Sequence, residues 1–412
     1  MTTSPRSRTV PSHGFEDGPL TGIRVIDLSA VISGPFGTAM LADQGADVIM
    51  VERADAHDVV RDSGPLVPGS GMSAMFASMN RNKRNIVIDL KQEAGRELLK
   101  ELVKDADVVV QNFRPGALER LGLGWNVLSG INPDLIMCSV SGFGTDGPYS
   151  HRPAFDPVVQ SVAAYPWVQM DDHGHPNLIA TAVCDKATSL QVAQSILAAL
   201  VARANGAGGQ HIELAMVDVA VHFLWPEAMW KNTYLDHTMD DMPNLNEIYK
   251  FYQTKDGWAI VYSVATERHW KSMCTVLGRP DLADDPRFAD LQGRVRFGAA
   301  VNDEIQAITS GMRTDELVEL MDAADVPVAP VNTRSSMIDD PHIRHRELLV
   351  ESEHPAVGRI RQVRPPARYS KTPSSIRRHA PGFGEHTDEV LRDLLGRTDE
   401  QIAALRTANV VH

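Results

Sequence analysis

The sequence predicts an α/β protein: a parallel sheet with crossover helices, followed by a smaller α+β unit. Three observations carry that expectation. Short β-rich runs alternate with helical segments through the first half of the chain, the pattern of consecutive βαβ units. Near Asn232 the texture changes, and a hairpin with an Asp-Gly turn and several helical segments replace the alternation. The chain also has 412 residues, more than one simple core serves, so two domains are expected.

Hydrophobic residues at 43% and charged residues at 23% are ordinary for a soluble globular chain. A net charge of -13 without a compensating Lys/Arg-dense run argues against general nucleic-acid binding. The three cysteines, Cys138, Cys184 and Cys274, lie far apart with no CxxC pair. That spacing indicates a reducing compartment with neither disulfide framework nor zinc site, and no metal is expected. No window is apolar for long enough to span a bilayer. Residues 1–18 are rich in Ser, Thr, Pro and Arg and lack the apolar core of a secretory signal, so they read as the disordered tail of a cytoplasmic protein.

In order, Gly22–Leu28 is a strand, Ser33-Gly34-Pro35-Phe36-Gly37 a glycine-bearing loop, Thr38–Gln44 a helix and Asp47–Glu52 a second strand. The loop lacks G-x-G-x-x-G and a Walker lysine, which argues against a nicotinamide or ATP site. Asn80–Asn85 places three cations among three amides before a strand at Ile86–Leu90. Such a cluster is either a solvated turn or a place to hold a phosphorylated ligand. Gln92–Lys104 is an amphipathic helix, and Asp107–Gln111 a strand that ends in Asn112-Phe113-Arg114. There the ring suits a heterocycle and the guanidinium a phosphate; the bland alternative is a helix-start turn with a packed Phe. Lys186–Ala204 is a core helix, His211–Met216 a strand, and Trp225 and Trp230 sit on a further helix. Tyr249–Thr254 and Trp258–Ser263 form the hairpin, Val326–Val331 begins a return, and two helices close the chain.

Ser139–Gln160 draws most attention. It leaves an apolar strand, crosses a Gly-Pro-rich loop and delivers Asp156 just before Pro157 and a helical pattern. Asp156 is either the N-cap of that helix or a carboxylate presented into a crevice as nucleophile or base.

Taken together, G-I-R-V-I-D-L-S, S-G-P-F-G, N-R-N-K-R-N-I-V-I-D-L-K, Q-N-F-R-P-G, S-G-F-G-T-D-G-P, G-G-Q-H-I-E-L-A-M-V-D and G-E-H-T-D-E-V-L occur in the order that resembles the class III CoA-transferases. That group includes formyl-CoA and carnitine-CoA transferases and the related α-methylacyl-CoA racemases. The resemblance runs from about Leu20 to Val410 and implies an interlocked homodimer. It implies a large Rossmann-like domain built from both chain ends plus a smaller α+β domain. The corresponding boundaries are 1–18 for the tail, 19–225 for the first part of the large domain, 226–330 for linker and small domain, and 331–412 for the return.

By matching motifs, Arg53, Lys83, Arg84, Asn112, Phe113 and Arg114 would contact coenzyme A, and Asp156 falls on the catalytic aspartate. An ionised carboxylate, reference pKa about 3.9, attacks the thioester of an acyl-CoA, and a carboxylic acid acceptor completes the exchange through an aspartyl-CoA thioester. Ser141, Gly142 and Gly144 lie on the loop whose backbone N–H groups are placed for an oxyanion. Two departures bear on the reaction. The glycine run that covers many transferase sites is missing beside Tyr249–Gln253, and the His and Glu expected of a racemase are Phe155 and Gln253. CoA transfer is therefore the expected activity, ahead of α-proton transfer by a racemase and of CoA binding without turnover.

Overall fold

In the computed structural model the described residues are 18–171, 173–237, 249–262 and 266–412. The expected tail lies, up to residue 17, outside them. Two compact units result. One holds the described residues up to Leu224 together with Leu348–His412, and the other is Trp225–Glu347.

The first unit opens with β1 (Arg24–Asp27), α1 (Ser33–Asp43), β2 (Asp47–Arg53), α2 (Ala74–Met79), β3 (Lys83–Ile88), α3 (Glu93–Lys104) and β4 (Val108–Gln111). It continues through α4 (Ala117–Arg120), α5 (Trp125–Ile131), β5 (Ile136–Ser141), α6 (Asp156–Val162), α7 (Tyr165–Val168), α8 (Val183–Ala202), β6 (Gln210–Ala215) and α9 (Met216–Ala228), in which the division falls. All six strands are parallel, in the order β3-β2-β1-β4-β5-β6. Each crossover is a helix, as parallel pairing requires. The order reverses between β1 and β4, and open α/β sheets bind ligands at such a point.

The strands are nearly unbroken runs of Val, Ile and Met because both faces are covered. Ile26, Ile49, Ile86 and Val109 pack with Leu98, Leu99, Leu102 and Val103 of α3 and with Val390 and Leu391 near the carboxyl terminus. Val25, Val48 and Val108, one position away, are equally buried on the face where α1 and α8 lie. Each such side chain is worth about 1.5–3 kcal/mol relative to exposure.

Three expectations change. The glycine-bearing segment is not a loop: Ser33–Gly37 is the first part of α1. A Cβ on Gly37 would lie 2.9 Å from the Ser189 carbonyl and from Val192 on α8. The glycine therefore serves the close approach of two helices. Second, α8 starts at Val183, ahead of the expected Lys186, which brings Asp185 into its first turn. Third, Phe155 is the N-cap of α6 and Asp156 is its first helical residue.

The second unit contains β7 (Phe251–Gln253), β8 (Trp258–Val261) and β9 (Val328–Pro330) in an antiparallel sheet of that order. Its core gathers Trp270, Met273, Phe288, Leu317 and Met321. Val326–Val331, expected to begin the return, supplies β9 here, because Val326 and Val328 close this core. Beyond Leu348 come the hairpin β10 (Leu349–His354) and β11 (Gly358–Val363) and the helices Thr387–Leu395 and Asp399–Thr407. The carboxyl end returns to the first sheet, where Val411 bridges Ile88.

Candidate active site

At the switch point, β1 runs into Leu28–Ile32 and β4 into Asn112-Phe113-Arg114. Asn112 clamps the two loops together. Its Oδ1 accepts from the Ala30 N–H at 2.9 Å, and its Nδ2 donates to the Ala30 carbonyl at 2.7 Å. The amide expected to meet coenzyme A is thus engaged with backbone, although Asn112 still lines the cavity beside it. That cavity, about 390 Å³, also meets Arg53, Phe113, Ser141 and Gly142, so five of the expected residues come together. Gly142 is required there, since a Cβ would stand 2.1 Å from that of Ala154.

A second cavity of about 540 Å³ lies along the start of α6 and residues Leu178–Ala182. Val31, Phe155 and Asp185 line both cavities. Asp156 lines the second.

Asp156 and Asp185 are almost equally buried, 6% and 8% exposed, so exposure does not distinguish them. Their partners do. Asp156 Oδ1 accepts from the Cys184 N–H (2.7 Å) and the Asp185 N–H (3.1 Å), and Oδ2 accepts from Gln160 Nε2 (2.6 Å). It caps α8 from another helix, satisfying two amides that the N-cap Ala182 leaves open. The Asp185 carboxylate accepts no hydrogen bond among the described residues. Burial pushes its pKa up to about 7, and the charge of Asp156 adds to the effect. Cys184 between them is no rival nucleophile: it is fully buried, and desolvation raises its thiol to about 12.

The cations separate in the same way. Lys83 is fully buried, and its Nζ donates to Asp27 Oδ2 (2.9 Å), the Pro35 carbonyl (2.8 Å) and Asn80 Oδ1 (2.8 Å), which exhausts its three protons. Burial holds its pKa below the ordinary lysine value against the pull of Asp27. Arg84 pairs with Asp47 (2.7 Å) at the amino end of β2 and with Glu389 (3.2 Å), away from the crevice. Both cations expected to hold phosphate are therefore turned to internal partners.

Arg53 is exposed on the cavity rim and pairs with Asp55 at 2.8 Å, a contact of the weak, solvent-screened kind. Arg114 faces a neighbouring cavity of about 470 Å³ with Arg120, His151 and Arg152. None of these three arginines forms an ion pair among the described residues; Arg152 lies over the Tyr149 ring at 3.7 Å. Gly144 sits in a smaller recess with Ser141, and its N–H donates to Ser141 Oγ at 3.0 Å, so that amide is not free for an oxyanion.

Asp185, Arg120 and Arg152 are the residues that sequence reasoning passed over. Asp185 carried one signal, an acidic residue in the first turn of a long apolar helix, but the expected helix start at Lys186 left it outside.

The family model for CoA-transferase family III matches residues 20–387. The chain belongs to CoA-transferase family III. It is 35% identical over 405 residues to the succinyl-CoA–L-malate CoA-transferase beta subunit of Chloroflexus aurantiacus, covering 95% of this chain and 98% of that one. It is 32% identical to human succinyl-CoA:glutarate CoA-transferase, covering 95% and 90%. Among solved structures, a CAIB/BAIF family protein from Brucella suis superposes with a TM-score of 0.81 at 31% identity, over 92% of this chain and 100% of that one. The protein is thus a class III CoA-transferase, an enzyme whose substrates are CoA thioesters. Among the described residues of this CoA-transferase, no helix is long and apolar enough to cross a membrane, and no three His, Cys, Asp or Glu side chains group as metal ligands.

Proposed function

We propose that this CoA-transferase exchanges CoA between an acyl-CoA and a carboxylic acid through a covalent aspartyl thioester, with Asp185 in place of Asp156 as the attacking group. One observation carries the choice: Asp185 holds a carboxylate unpartnered among the described residues and lining two cavities, whereas the oxygens of Asp156 are engaged at a helix start. An Asp185 oxygen attacks the thioester carbonyl, the C–S bond breaks, and CoA thiolate leaves a mixed anhydride. The thiolate then attacks the aspartyl carbonyl of that anhydride and releases the first acid. The acceptor carboxylate repeats both steps in reverse, which returns free Asp185 and a new acyl-CoA. A raised pKa favours the attack once the proton is lost, because the desolvated anion is the stronger nucleophile.

In this reading coenzyme A enters the first cavity with its nucleotide beside Phe113, and Arg53, on that cavity's wall, and Arg114, Arg120 and Arg152, on the neighbouring one, meet its phosphates. Lys83 and Arg84 are left out of this assignment. The relatives' names pair succinyl-CoA with L-malate or glutarate, so small dicarboxylic acids are the first acceptors to try. A homodimer belongs to the same reading. It is supported by large apolar side chains standing exposed on α6 to α9, such as Val162, Trp167, Leu190 and Phe223.

The test is chemical. Incubation with acyl-CoA followed by hydroxylamine should leave a hydroxamate on the peptide containing Asp185. A label on Asp156, or full transfer by Asp185→Ala, would sink the assignment.

A further inference from the structure

Val31 has φ of +72°, a left-handed backbone that a β-branched residue adopts only under constraint. Three neighbouring elements supply that constraint, one for each of three successive residues. Asn112 at the end of β4 holds both backbone groups of Ala30. Asp58 Oδ2 accepts from the Val31 N–H at 3.0 Å. Ser189 Oγ on α8 donates to the Ile32 carbonyl at 3.4 Å. Asp58 is itself held: its Oδ1 accepts from the Val60 N–H (3.0 Å), and its own N–H donates to Glu52 Oε1 (2.8 Å). Glu52 is locked by Arg61 at 2.6 Å in a buried pair, and Arg61 also donates to the Pro381 carbonyl.

The strained residue stands where it matters. Val31, Phe155 and Asp185 are the residues common to the walls of both cavities, so the two cavities adjoin at these side chains. In the CoA-transfer reading, an acyl carbonyl in reach of the Asp185 carboxylate brings its α-carbon near Val31, which lines the same walls. We propose that Val31 is a specificity-determining residue that reads the α-carbon of the acyl group and admits unbranched chains over α-methyl ones. We propose with it that Asp58 is a positioning residue that keeps Val31 in its left-handed conformation. The inference rests on the CoA-transfer reading given above and goes beyond it by naming a substrate class.

The experiment compares kcat/KM for the straight-chain acyl-CoA that the wild type turns over fastest and for its α-methyl homologue, with one fixed acceptor acid. Wild type should prefer the straight chain by about tenfold or more, and Val31→Gly should shrink that ratio by about as much. Asp58→Ala should lower kcat by roughly ten- to a hundredfold with little change in KM for acyl-CoA. The double variant Asp58→Ala/Val31→Gly should recover kcat on the straight chain, since glycine takes the left-handed backbone unaided. A role confined to folding would not produce that recovery. Where Asp58→Ala does not fold, Asp58→Asn replaces it. Its single acceptor oxygen serves only one of the Val31 and Val60 N–H groups, so it should lower kcat in the same direction, and Val31→Gly should again restore it.

An unchanged chain preference in Val31→Gly overturns the specificity claim. A double variant no better than its Asp58 parent, Ala or Asn, overturns the positioning claim. A wild type that transfers CoA from no acyl-CoA to any acid overturns the functional reading instead, and this inference with it.

Discussion

The starts of α6 and α8 each carry one carboxylate, and the two behave as opposites. Asp156, at the start of α6, accepts two backbone N–H groups of α8 and one side-chain amide, so its charge is spent in holding two helices together. Asp185, at the start of α8, lends its own N–H to that arrangement and keeps its carboxylate unpartnered among the described residues. On the proposed reading the first is a structural anion and the second the attacking one, although they are almost equally buried. Lys83 and Arg114 repeat the contrast for cations: one has every proton engaged in the core, and the other faces a cavity without an ion pair among the described residues. Burial alone thus says little about use. What separates the pairs is whether the partners inside the fold have used up the hydrogen-bonding capacity.

The comparison breaks most visibly at Asp185. Asp185→Asn should lower kcat by about 10³-fold or more, since it removes the attacking oxygen anion; a steady-state transfer assay reads this. The same variant should be more stable than wild type at pH 8. Folding raises this carboxyl to about 7, so the folded chain binds a proton that the unfolded chain has already released, and a cost builds between the two values. Removing the ionisation should therefore add up to about 4 kcal/mol above pH 7 and nothing below pH 4, as denaturant midpoints would report.

Next in size, Lys83→Met should cost about 3–5 kcal/mol of stability by stranding the buried Asp27 carboxylate. It should leave the KM for acyl-CoA of the surviving folded enzyme unchanged; a raised KM would return Lys83 to the binding site. Asp156→Ala should cost about 1–2 kcal/mol through the lost cap, against a smaller loss for Asp156→Asn. The finest test is the pH profile. Wild-type kcat/KM should fall as pH drops below about 7, because the protonated Asp185 cannot attack. Asp156→Asn should move that midpoint down by removing a neighbouring negative charge; a midpoint that stays put would separate the two carboxylates.

Much of the fold was legible in the sequence because strands buried on both faces and amphipathic helices such as Glu93–Lys104 announce themselves locally. The misreadings share a cause. Ser33–Gly37 looks like a loop from its glycines, and only the presence of α8 against Gly37 explains why glycine is needed in a helix. Lys83 and Arg84 look like a phosphate site because three cations stand together, yet their partners Asp27, Asp47 and Glu389 lie far away along the chain. Val326–Val331 reads as an apolar strand in either case, and nothing local says which sheet it joins.

By itself the sequence determined the alternation of strands and helices, the family through seven motifs in order, and the strand ends at which the crevice forms. The tertiary structure alone decided which carboxylate stays without a hydrogen-bond partner among the described residues. The amides that occupy Asp156 come from residues 28 and 29 positions further on, and a hydrogen bond between such distant groups has no local trace in the chain. Composition and periodicity record what a segment buries. Which donors and acceptors remain open depends on what the fold brings against them.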